Sequence, residues 1–153
     1  MTDDPHNLQR FLKKQKLDYG RALFELKRGQ KEGHWMWWIF PQIEGLGWSP
    51  TTQQYSIDSI DEAKAYLQHE VLGDRLHQCA QALLNSGADS IKDVVYWPDD
   101  LKIQSSVTLF EWIGNSLDMN TDIFAKVLDT YFDGERDDKT ITWLENGGQH
   151  PEE

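Results

Sequence analysis

Apolar residues recur at spacings of three and four along most of this chain and nowhere in sustained alternation, a pattern that fits packed helices rather than a sheet. Leu8, Phe11 and Leu12, then Tyr19, Ala22, Leu23 and Leu26, mark one broken helix or two between Asn7 and Arg28. Asp18 reads as an internal cap and Gly29 as the stop. Ser49-Pro50 opens a short helix toward Tyr55, with serine as cap and proline at the first helical position. Ser59-Ile60-Asp61-Glu62 is a capping box ahead of Ala63, Ala65, Tyr66 and Leu67. Gly73 and Asp74 precede or open a longer helix through Leu84, which Asn85-Ser86-Gly87 ends.

Further along, Asp89 caps a short helix to about Tyr96. Pro98-Asp99-Asp100 starts another, since proline and two acids suit the positive end of a helix dipole. Its inward stripe is Leu101, Ser105, Thr108, Leu109 and Trp112, and Gly114 ends it. Asn120-Thr121 caps Asp122 to Phe132, and Asp138 caps a last short helix to Leu144. Only Trp37-Trp38-Ile39-Phe40 reads as extended, because Pro41 disfavours helix at Phe40. The expected fold is all-α: seven or eight mostly short helices in a compact single domain over residues 6–146, with residues 1–5 and 147–153 as flexible tails.

A chain of 153 residues buries enough surface for one core without crosslinks. Its apolar fraction of 39% is low, but seven Trp, six Phe and five Tyr offset that with large side chains. Cys79 is the only cysteine, which excludes an intrachain disulfide and a cysteine-based metal site. It falls at helical spacing among Leu72, Leu76, Ala80 and Leu83 and reads as a buried, inert thiol. No apolar run marks a signal peptide or a membrane span, so the expected location is the cytoplasm. No metal or cofactor is expected, as the five histidines show no ligand spacing.

The net charge of −11 is uneven: residues 1–33 carry +3 and the remainder −14. An acidic surface opposes non-specific binding to nucleic acid or an anionic membrane. Duplex DNA is therefore expected to pass unretained at physiological salt, and a tight, salt-sensitive shift in a gel assay would contradict this. The basic N-terminal block could still receive a phosphate, although such blocks are more often a solvated helix face.

Gly33-His34-Trp35-Met36-Trp37-Trp38-Ile39-Phe40-Pro41-Gln42 is too apolar for a surface loop and too aromatic for an ordinary helix. Ile43-Glu44-Gly45-Leu46-Gly47-Trp48-Ser49-Pro50 follows, and its two glycines allow left-handed backbone or close approach of another group. Aromatic faces stack planar rings, and Trp35, Trp37, Trp38 and Trp48 are the candidates. A second segment, Asp99 to Phe110, carries Lys102 with Ser105, Ser106 and Thr108 nearby. Hydroxyls there either bond back to the preceding turn or, with Lys102, hold a ligand phosphate. The candidate ligand residues are His34, Trp35, Trp37, Trp38, Gln42, Gly45, Gly47, Lys102, Ser105 and Ser106.

These residues carry a resemblance to a bacterial family known as domain of unknown function 1810. It runs through Leu8-Gln9-Arg10-Phe11, His34 to Gln42, Gly45-Leu46-Gly47, Tyr55-Ser56-Ile57, Asp61-Glu62-Ala63, Tyr66-Leu67, Leu72 to Leu76, Asp100-Leu101-Lys102 and Ser105 to Phe110. Members are sometimes labelled calpastatin, a disordered repeat inhibitor, whereas this chain has no repeat and abundant aromatics. A looser similarity, in order and residue type, is to the NADAR proteins, helical domains linked to NAD and ADP-ribose chemistry. It implies a nucleotide or ADP-ribose-like ligand in a Trp-rich pocket and hydrolysis of an N-glycosidic bond.

Such a reaction passes through an oxocarbenium-like state and needs a carboxylate close by. Glu44 and Asp61 lie nearest the motif in sequence; Glu62 does too, but the capping box already uses it. The alternative is a non-catalytic interaction module whose Trp cluster is core or the surface for a protein partner.

Overall fold

The computed structural model describes residues 4–151, so Met1–Asp3 and Glu152–Glu153 of the expected tails lie outside the described residues. Gln9–Arg28 forms one continuous helix, α1. Asp18 does not cap a break in it, because its Oδ2 accepts the Trp38 indole N–H at 3.0 Å across a tertiary contact. The segment expected to be extended instead makes one helical turn, α2 (Met36–Ile39), closed by the Phe40 N–H on the Met36 carbonyl. An extended run would send alternate side chains to opposite faces. The turn lets Trp35, Met36, Trp38, Ile39 and Phe40 all enter the core. Pro41 then ends the helix, as its effect on Phe40 predicts.

Caps place most of the rest. Ser49 accepts the Thr52 N–H at the start of α3 (Pro50–Tyr55), and Ser59 accepts the Glu62 N–H at the start of α4 (Ile60–Gln68). The return half of that second box is not made, since the Glu62 carboxylate goes to the Asp58 N–H and to Arg10. Leu72–Asn85 forms α5. Ser90, not Asp89, caps α6 (Ile91–Val94), with Asp93 completing a capping box. Then come α7 (Asp99–Ser116), which runs past Gly114, α8 (Asp122–Tyr131) and α9 (Asp138–Glu145). Asp137, not Asp138, caps α9 by accepting the Thr140 N–H and hydroxyl. The described residues thus hold nine helices, two of them a single turn, and no strand; one parallel bridge joins Ile43 to Ile57.

α1 packs on α5 and α2, α5 also meets α4 and α8, and α7 lies among α4, α8 and α9. That central position corrects the expected one-sided stripe. Of that stripe Ser105, Thr108 and Leu109 are buried while Leu101 and Trp112 stand partly in solvent, and Ile103, Val107, Phe110 and Ile113 are buried as well. A helix covered on three sides is apolar around most of its girth, so a single stripe misreads it. Two of its hydroxyls are absorbed locally: Ser105 donates to the Leu101 carbonyl at 2.9 Å and Thr108 to that of Gln104 at 2.7 Å. No helix among the described residues is long and apolar enough to cross a membrane.

Cys79 is buried in α5, and desolvation pushes its thiol up to about 12. A thiolate is the reactive form, so native protein is expected to resist a thiol reagent at pH 8 and to react on unfolding. Rapid labelling of folded protein would contradict this placement.

Candidate functional site

The Trp-rich segment is held down by its own indoles. Trp35 is 1% exposed, and its indole N–H donates to Glu25 Oε1 at 2.8 Å. The same oxygen accepts the backbone N–H groups of Glu32 and Gly33, which fixes the loop entering α2. Trp38 is buried against α1 through Asp18 and packs edge-on to Tyr55. Trp37 is half-buried and donates to the Thr52 hydroxyl at 3.1 Å. The cluster therefore divides into Trp35 and Trp38, whose rings are core, and Trp37, whose ring lies under the Lys102 ammonium 4.7 Å from its centroid.

A cleft of about 680 Å³ opens beside Trp37, between the 42–52 loop, the first turns of α7 and the segment leading into α9. It gathers Gln42, Gly47, Lys102 and Ser105 of the expected residues. Trp48 and Leu101 line it too, with Trp48 86% exposed. Lys102 is 3.5 Å from Asp99 and is only weakly engaged there. The other cations of the lining are Arg136 and Lys139, set against Glu135, Asp137 and Asp138, so the formal charges cancel. Arg136 is committed to Glu111 by two bonds of 3.0 and 2.6 Å and to the Gly134 carbonyl. Asp137 is committed to the cap of α9. Lys102 and Lys139 remain as the cations able to meet a ligand.

The two glycines of the loop do different things. Gly45 has φ +85°, and a Cβ there would sit 2.5 Å from the His150 ring. Gly47 lets the chain pass Thr52, whose methyl a Cβ would meet at 2.6 Å. That close pass holds the Thr52 hydroxyl, and with it Trp37, at the cleft floor. Gly47 therefore shapes the cleft, whereas Gly45 shapes the contact with the C-terminal segment.

The remaining expected residues stand elsewhere. His34 is exposed beside Tyr96 and Trp97 in a second hollow, which meets the first at Pro98. Ser106 is fully buried, and its hydroxyl has no partner among the described residues. Glu44 accepts from the Trp143 indole and lies 3.3 Å from His150 Nε2, which itself donates to the Glu44 carbonyl. Asp61 is exposed on α4 and lines neither hollow. Conversely, the 135–139 segment escaped sequence reasoning. Its one local signal is the helix stop at Gly134 followed by mixed charges, and only the packing of α9 on α7 brings it to the cleft.

A family model described as protein of unknown function (DUF1810) matches residues 5–144. The crystal structure of the conserved hypothetical protein Rv1873 from Mycobacterium tuberculosis is 42% identical and superposes with a TM-score of 0.88. The match covers 93% of this chain and 99% of that one. None of the curated proteins compared matches this chain.

Proposed function

The chain belongs to the DUF1810 family of proteins of unknown function, and we propose that its Trp48 cleft binds a small ring-bearing ligand of nucleotide or ADP-ribose type. Trp48 carries this reading: a side chain that folding normally buries stands 86% exposed on the lining of a 680 Å³ cleft. That volume suits a small organic ligand, and an indole face is worth about 1–3 kcal/mol to a stacked base. Lys102, steadied over Trp37, offers the charge for a phosphate, and Gln42 offers an amide for hydroxyls, while the Gln104 amide donates to the Glu135 carbonyl at 3.0 Å. Because the lining charges cancel, the cleft suits a ring, a sugar and little net charge better than a long polyanion. The order of aromatic-Pro segment, acid-bearing helix and Lys-bearing helix, similar to that of the NADAR proteins, supports the same reading. Glu44 and Asp61 stand outside the cleft, so the proposal is for binding; hydrolysis would fall to Glu135 or Asp138, the exposed acids of the lining.

Calorimetric titration with AMP and ADP-ribose tests it. Trp48→Ala is expected to weaken both by about tenfold or more. Lys102→Ala is expected to weaken them by a similar factor while leaving adenosine unchanged. Absence of heat from all three at millimolar concentration would overturn the reading.

One observation favours a second reading, a docking face for a protein. Trp48, Leu101, Pro98, Trp97 and Tyr96 span the two adjoining hollows, and Trp97 and Tyr96 are 74% and 78% exposed. Trp97→Ala distinguishes the two, because it should leave AMP binding intact.

A further inference from the structure

We infer that the groove between α1 and α5, on which the Trp48 cleft makes no claim, is an anion site for the phosphate or pyrophosphate group of a small molecule. The groove, of about 640 Å³, is lined by Lys13 and Lys16 from α1 and Arg75 from α5, and by no acid. In a chain of net charge −11 that is an unusual concentration of one sign. None of the three forms an ion pair among the described residues. The nearest carboxylates by sequence make other bonds: Asp74 accepts the Gln78 amide and Asp18 the Trp38 indole.

Arg75 is half-buried, yet it is held without a counter-ion. Its guanidinium lies 4.7 Å from the centre of the Tyr19 ring, and its Nη1 donates to Gln15 Oε1 at 3.3 Å. Gln15 is itself fixed, being 2% exposed and donating from Nε2 to the Trp38 carbonyl at 2.7 Å. The remaining N–H donors of Arg75 have no protein acceptor among the described residues. A planar fork oriented in this way matches a phosphate bidentately. Lys13 and Lys16, one turn apart, supply flexible charge along the same groove.

Gly20 adds an independent sign. It sits in mid-helix, where glycine is less favourable than alanine, yet a Cβ there would meet nothing within 4 Å. Packing does not call for this glycine, and any side chain at this position would stand in the groove it lines.

The full chain is titrated with inorganic pyrophosphate by calorimetry, beside the Arg75→Gln, Gly20→Glu and Lys102→Ala variants. Saturable, salt-sensitive binding is expected, weakened about tenfold or more in Arg75→Gln. Gly20→Glu should also weaken it while keeping or raising the melting temperature, so loss of binding there cannot be loss of fold. Lys102→Ala should leave the Arg75-dependent part of the binding in place, which separates this site from the Trp48 cleft. Absence of heat at millimolar pyrophosphate, or binding untouched by Arg75→Gln and Gly20→Glu, would overturn the proposal. So would binding abolished by Lys102→Ala, or tighter retention of a single-stranded oligonucleotide than of pyrophosphate.

Discussion

Replacing Glu25 with alanine is expected to lower stability by about 3–5 kcal/mol, the usual cost of removing one partner from a buried charged network. Glu25 is 2% exposed and makes four bonds: to the Glu32 and Gly33 backbone, to the Trp35 indole and to Arg21. Its loss strands the Gly33 N–H and the Trp35 indole in the interior, each at about 1–3 kcal/mol. Denaturant unfolding measures the effect directly. A loss below about 1 kcal/mol would mean that the entry to α2 is held by packing alone.

The same residue sets an acid limb. Burial alone would raise the Glu25 carboxyl, but the N–H groups of Gly33 and Glu32, the Trp35 indole and Arg21 outweigh it and hold it down to about 2. A carboxyl that is a stronger acid folded than unfolded stabilises the fold fully above its unfolded value, near 4.5. That contribution fades as pH falls toward 2 and amounts to about 3 kcal/mol. Unfolding measured between pH 6 and 2 should show the loss, and the limb should be flatter in Glu25→Gln.

The second large effect belongs to Arg10. Its guanidinium donates to Glu62 Oε2 at 2.6 Å and to the carbonyls of Gln54, Ser56, His6 and Asn7. It thereby ties the start of α1 to the end of α3, to Ser56 beyond it and to the first turn of α4. Arg10→Ala leaves the carboxylate of Glu62, a residue 4% exposed, with the Asp58 N–H as its one donor among the described residues. A loss of about 3–5 kcal/mol is expected. Arg10→Lys should recover little of it, since an ammonium cannot reach five acceptors in a fork. Full recovery in Arg10→Lys would show that charge alone matters.

Local signals were legible where the governing contact is local. Ser49 and Ser59 cap as their neighbours predict, Pro98-Asp99-Asp100 opens α7, and Gly29 stops α1. Reading failed where a distant partner decides. Asp18 is claimed by Trp38, Glu62 by Arg10 and Glu25 by Trp35, pairings that no window of helical periodicity contains. The one-turn α2 is fixed by tertiary burial of its aromatics and not by propensity, which is why Pro41 alone suggested extension. Half of the cleft was legible in the same sense: Gln42, Gly47, Lys102 and Ser105 lie in segments odd enough to notice. Trp48 was one aromatic among several until burial separated it from Trp35 and Trp38. Glu135 to Lys139 joins the cleft only through the placement of α9.

On the proposed reading Trp48 and the cleft beneath it meet a ligand while Trp35 and Trp38 build the core. Each of the seven indole N–H groups gives its own resonance in protein labelled with ¹⁵N at tryptophan, so titration with AMP reads every candidate at once. A saturable shift of Trp48 is expected, with a smaller one of Trp37 beneath Lys102 and stationary signals from Trp35, Trp38 and Trp143. A stationary Trp48, or shifts confined to Trp97, would overturn the proposed ligand site.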